Sequence, residues 1–283
     1  MRSPIMPRLC LIVLLALVGA FAWRGSSVAA TLIPPVGTAP SSLCWQVVPS
    51  PNVGSGGNTL QAVATVTAND VWAVGSFVSG NIDQTLIQHW DGIAWAVVPS
   101  PNVGLGSNLL YGVAAVTTAD IWAVGYSSGA NGFQTLIEHW DGTNWTVVPS
   151  PNGETGDSLL NGVVALASDD VWVVGGYYSN GVEHTLTEHW DGTQWTIVPS
   201  PTPIGSSGGH LYGVAAIASA DIWAVGFGSS AAGVGPSLTE HWDGVSWIIV
   251  PNPNPGSTNR LTSVVAVSTN DVWAVGTAYI RAC

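Results

Sequence analysis

The feature that most constrains this chain is a motif copied at a spacing of about fifty residues. TLIQHWDGIAWAVVPSPN (85–102), TLIEHWDGTNWTVVPSPN (135–152), TLTEHWDGTQWTIVPSPT (185–202) and SLTEHWDGVSWIIVPNPN (237–254) are versions of one segment. A second motif travels with it: NDVWAVG (69–75), ADIWAVG (119–125), DDVWVVG (169–175), ADIWAVG (220–226) and NDVWAVG (270–276). Asp70, Asp120, Asp170, Asp221 and Asp271 are therefore separated by 50, 50, 51 and 50 residues, and fourteen of the fifteen tryptophans fall inside the repeat. A unit of this size cannot bury an apolar face alone, so neighbouring units must pack on one another.

Each unit carries four short apolar stretches separated by turn chemistry, the count for a four-stranded sheet. In the second they are Tyr111 to Val116, Ile121 to Gly125, Thr135 to Trp140 and Trp145 to Val148. Asp141-Gly142 suits a tight hairpin turn, and Pro149, which cannot donate to a ladder, suits a strand end. No stretch of ten residues has helical periodicity. The order GVAAV, DIWAVG, TLIEHWDG, WTVVPSP resembles the blades of the kelch and galactose-oxidase group of β-propellers, although the double glycine of that family occurs only as Gly175-Gly176. The resemblance implies an all-β propeller of four-stranded blades. Small residues in GVAAV, GVVAL and GVAAI would line the crowded axis, while Trp72, Trp122, Trp172, Trp223 and Trp273 would fill the wedges between blades.

About five blades are expected, four complete and one composite of the two termini, with a truncated larger propeller as the alternative. Trp45 to Pro51 reads as a fourth strand without a blade of its own, residues 261–276 supply a first and second strand, and Ala278 to Cys283 is a poor third. Ring closure would bring Cys44 near Cys283, so a disulfide there is weighed against two free thiols. Residues 1–30 read as an export signal: Arg2 and Arg8 precede an apolar run from Leu9 to Trp23 and a Val28-Ala29-Ala30 cleavage site. Residues 31–44 are then a linker and 45–283 the propeller, in a monomer secreted to the outside of the cell. An uncleaved leader would instead anchor it to the membrane.

Charge narrows the partners. The chain has no lysine, five arginines (Arg2, Arg8, Arg24, Arg260, Arg281) and a formal net charge of −12, which would repel nucleic acid and anionic lipid headgroups. The recurring His89, His139, His189 and His241 sit one per unit, too dispersed to converge on a metal ion. Strand register instead places His89 beside Asp70 and His139 beside Asp120, as structural pairs. A sialidase would need an arginine cluster, and a copper-radical oxidase a crosslinking cysteine in mid-chain; neither is present. No serine elbow or phosphate loop occurs. A carboxylate pair for glycoside hydrolysis has the raw material, but each recurrent Asp already has a turn role. No enzyme, cofactor or metal is expected.

Strand parity locates a binding face. Connections from second to third strands, and from each blade to the next, emerge at one end, whereas the opposite end carries short repeated turns. The first set reads as long variable loops, SFVSGNIDQ, YSSGANGFQ, GYYSNGVEH and FGSSAAGVGP. That end gathers Phe77, Asp83, Tyr126, Phe133, Tyr177, Tyr178, Glu183, His184, His210 and Phe227. Rings beside carboxylates suit a protein surface or a carbohydrate. Because the loops differ between blades, one composite site or a protein partner is favoured over a repeated sugar site.

Overall fold

The computed structural model describes residues 8–13, 47–130, 132–154, 156–202, 206–230 and 233–279. The regular structure is all strand. Asn58–Thr67, Asp70–Ser79, Ile82–Trp90 and Trp95–Val98 form the first four-stranded antiparallel sheet, in chain order. The second holds Asn108–Thr117, Asp120–Gly129, Gly132–Trp140 and Trp145–Val147. The third holds Ser158–Ala167, Asp170–Ser179, Val182–Trp190 and Trp195–Ile197. The fourth holds Gly208–Ala218, Asp221–Ser230, Gly233–Trp242 and Trp247–Ile249. A fifth, three-stranded sheet pairs Thr258–Ser268 with Asp271–Tyr279, and Arg8–Val13 adds to the latter in parallel. These are five blade-like units in a propeller arrangement, each sheet packed on the next through its first, innermost strand.

The tryptophans make the seams. Trp72 is 2% exposed and meets Trp140 and Trp145 of the second blade at ring-centroid distances of 5.1 and 5.5 Å. Trp122 meets Trp190 and Trp195 in the same way, and Trp172 meets Trp242 and Trp247. Around these rings pack Val74, Ile87, Leu110, Ile121 and Leu136 at the first seam, and their equivalents at the next two. The glycine ending each WAVG motif answers to backbone crowding: a Cβ on Gly125 would lie 1.8 Å from the Leu109 carbonyl oxygen, and one on Gly175 2.0 Å from that of Leu159.

A second device crosses the first three seams. In the third strand Leu136 and Glu138 are two residues apart and share a face, so the carboxyl is carried into the core with the leucine. Glu138, Glu188 and Glu240 are fully buried, each facing the serine of the preceding blade's VPSP segment, Ser100, Ser150 and Ser200. Ser200 Oγ reaches Glu240 Oε1 at 3.2 Å, while both carboxyl oxygens of Glu138 and Glu188 have no close hydrogen-bond partner. Each serine is also tied to its own blade, Ser100 to Thr85 at 2.7 Å and Ser150 to Thr135 at 2.8 Å. Burial pushes the three glutamic acids up to about 8, against a small opposing effect of the serines.

Two expectations are corrected. Residues 47–57 form no strand, so the described part of the expected Trp45 to Pro51 strand, residues 47–51, does not contribute to the fifth sheet. That segment lies against the first blade, where Gln88 Nε2 donates to the Pro51 carbonyl at 2.7 Å, in the place that Ser100 and its neighbours take against the second. The closing seam is accordingly unpacked: Val63 is 64% exposed where its equivalent Val113 is 9%, and Val265 and Val267 face solvent on the fifth sheet. The N-terminal strand in the fifth sheet comes from Arg8–Val13, within the stretch read as an export signal; cleavage after Ala30 would remove it. Trp45, Cys44, the linker, Cys283 and most of the expected third strand lie outside the described residues.

The second correction concerns the variable loops. They are continuations of the second and third strands: Val78 pairs with Asp83, Ser128 with Phe133 and Tyr178 with Glu183. The connections shrink to two residues, as at Asn180-Gly181, where φ values of 54° and 78° match the hairpin turn that Asn-Gly favours.

Candidate binding face

The antiparallel order puts two kinds of chemistry at opposite ends of the blades. At the short-turn end, Asp70 Oδ1 accepts from Trp72 Nε1 at 3.0 Å and from His89 Nε2 at 2.8 Å, and the imidazole lies 4.3 Å from the indole of Trp72. Asp120 with His139, Asp170 with Trp172 and His189, and Asp221 with Trp223 and His241 repeat the clamp; Asp271 holds Trp273 at 2.7 Å. Among the described residues no group of three or more His, Cys, Asp or Glu is placed to hold a metal ion. The neighbouring turns are equally uniform. Asp141 Oδ1 accepts from the backbone of Thr143 and Asn144, both at 2.8 Å, and these bonds lower its pKa.

The hairpin end differs from blade to blade, and the residues named for it separate into three groups. Asp83 lies near Tyr111 and Tyr126, Tyr126 packs on Phe133 at 4.6 Å, and burial together with Tyr111 pushes the Tyr126 phenol up to about 12. Tyr177 stacks on its cross-strand partner His184 at 4.9 Å. Phe77 stands half-buried opposite Gln84, apart from the others.

The third group spans the seam between the third and fourth blades. His210, 4% exposed, has Nδ1 2.9 Å from Glu183 Oε1 and Nε2 2.5 Å from Asn161 Oδ1. Ser229 Oγ donates to Glu183 Oε2 at 3.1 Å, and the Tyr178 hydroxyl also bonds this carboxylate. Burial works to raise the Glu183 pKa, but His210, Tyr178 and Ser229 outweigh it and hold it below the ordinary value. Burial and the charge of Glu183 in turn push Tyr178 up to about 12, so its phenol stays a donor. Gly176, the second glycine of the double glycine, is explained here: its Cβ would sit 2.3 Å from His210 Nδ1. Phe227 is buried beside His210 and Tyr212.

Asn161, Tyr212, Ser229 and Arg260 belong to this assembly and are absent from the expected set. A signal for one of them was present. The residues opening the innermost strands are Thr59, Leu109, Leu159, His210 and Arg260, so the column turns basic only in its last two members.

No protein-family model matches this chain, and no curated protein sequence does either. Solved structures share its fold. The extracellular domain of the putative one-component system BT4673 from B. thetaiotaomicron aligns with a TM-score of 0.50 and 10% identity over 81% of this chain and 28% of that one. A protein of unknown function from Dyadobacter fermentans gives 0.50 and 11% over 75% and 69%. YCF48 bound to D1 peptide gives 0.49 and 14% over 80% of this chain, which spans 65% of that one. Likeness at these identities concerns the fold alone; the blades and seams above, with the two structures that align at 0.50, define a β-propeller-like repeat protein.

Proposed function

We propose that this chain is an exported, non-catalytic binding scaffold that recognises one ligand through the hairpin end of its blades, a protein surface being the favoured partner. One observation carries the reading. The seams and the short-turn end repeat nearly unchanged, whereas the pair at each hairpin-end slot differs every time: Asp83 with Leu109, Phe133 with Leu159, Glu183 with His210, Val234 with Arg260. Variation confined to one end of a uniform scaffold is how binding surfaces are built. The acid and base groups support a non-catalytic role, since each Asp–His pair is bonded into the scaffold and Glu183 is engaged by three side chains. Kinship with kelch blades rests on motif order; the double glycine adds little, because Gly176 answers to His210.

The test uses the full chain as bait against extracellular protein extract and on a glycan array. Binding that is lost in Tyr178→Ala/Glu183→Gln and kept in Thr143→Ala, at the opposite end, supports the proposal; glycan hits sharing one terminal sugar would move the partner to carbohydrate. Equal loss in both variants would refute the placement of the site. Turnover of chromogenic glycosides that Glu183→Gln abolishes would refute the non-catalytic reading.

A further inference from the structure

The slot between the fourth and fifth blades repeats the His210 slot with its acid removed. Aligning the WAVG motifs puts Arg260 where His210 stands, Tyr212 where Asn161 stands, Phe227 at Gly176 and Tyr279 at Ser229, and the hairpin ladder puts Val234 at Glu183. In the earlier slot the basic ring is met by the Glu183 carboxylate, which also takes a hydroxyl from Ser229. In the later one the ladder sets Val234 opposite Ser229, as it sets Glu183 opposite Tyr178, with Gly235 beside it in a bulge, and neither position carries an acid.

Arg260 is held all the same. Its guanidinium carbon lies 5.2 Å from the ring centre of Tyr212 and 5.0 Å from that of Phe227, a cation–π seat that fixes the head group without using its N–H donors. Among the described residues no carboxylate stands within ion-pair distance, although the chain carries 17 acidic residues. The arginine also lines a recess of about 270 Å³ with Thr258, Asn259, Thr277 and the exposed ring of Tyr279. A positioned guanidinium with free N–H groups beside open space is the geometry that receives a planar anion in two parallel hydrogen bonds.

We infer that Arg260 is a receptor for a single carboxylate on the ligand, taken up in this recess, with the Tyr279 hydroxyl as second donor. A lone carboxylate fits better than a polyanion, because the net charge of −12 opposes any extended anionic partner. The inference rests on the hairpin end being the binding face and names one chemical group recognised there.

Calorimetric titration of the full chain with two matched pairs tests it: N-acetylglycine against N-acetylglycinamide, and methyl glucuronide against methyl glucoside. The expected result is millimolar binding of at least one acid, about 10-fold or more tighter than its neutral partner, since a charge-assisted pair is worth that much. Which acid binds better separates a peptide terminus from an acidic sugar. Arg260→Gln should abolish the preference while its melting temperature confirms folding. Val234→Glu, which puts an acid at the ladder position of Glu183, should also abolish it while raising the melting temperature. Acids bound no better than their neutral partners, no binding of either, or a preference that survives Arg260→Gln would overturn the inference. Ligand capture that is lost in the Tyr178/Glu183 variant but unchanged in Arg260→Gln would leave the binding face standing without this receptor.

Discussion

Glu138, Glu188 and Glu240 make the seams sensitive to pH. Their folded-state pKa, about 8, lies above the ordinary glutamate value of 4.5, so above pH 4.5 the unfolded chain ionises while the folded one stays protonated. Stability is therefore greatest below that pH, falls as pH rises toward 8, and levels off beyond it. The turn carboxylates Asp91, Asp141, Asp191 and Asp243 have lowered pKa values and so titrate below the interval from 5 to 8. Thermal melts should give a higher midpoint at pH 5 than at pH 8, and Glu138→Gln/Glu188→Gln/Glu240→Gln should flatten that slope, with a gain at pH 8 of up to a few kcal/mol per site. Gln88 occupies the same position in the first blade and shows that the amide fits. Gly176→Ala should cost roughly 1–3 kcal/mol in urea melts by driving a methyl into His210, and His210→Ala should relieve that cost. Sequence alone gave the Asp–His pairing, because strand register fixes it. It passed over the buried glutamates, which come to notice only once Leu136 and Glu138 are seen to project the same way.

Strands behave less uniformly than their sequences. Trp122→Ala should lower stability by about 3–5 kcal/mol, because the indole fills a seam against Trp190 and Trp195. Trp273→Ala, at a half-exposed copy of the same position on the end sheet, should cost clearly less, and urea midpoints of the two variants measure the difference. The strand count per unit, the Asp-Gly turns and the wedge role of the indoles were legible from periodicity and turn residues. The hairpin arms were not. YSSGANGFQ is rich in Gly and Ser, and its ladder is built from backbone groups that composition does not report.

At the scale of the molecule, stability comes from seams between neighbours, so protection should be uneven along the array. Hydrogen exchange should be slowest in the second, third and fourth blades and faster in Asn58–Thr67 and Thr258–Ser268, whose outward residues Val63 and Val265 face solvent. Uniform protection across all five sheets would contradict this. The propeller class could be read from the repeat, but the partner of the first sheet could not, since motif spacing says which units are alike and not how an end unit is covered.

The changing pairs at the hairpin end mean that this architecture offers interchangeable sockets. A His–Glu couple transplanted onto Leu159 and Phe133 should be tolerated only when both members move together and the residue at Tyr126, which matches Gly176, is cut back to glycine. Redesigning the specificity of such a protein would then be a matter of swapping matched sets between addresses, with the tryptophan framework left untouched.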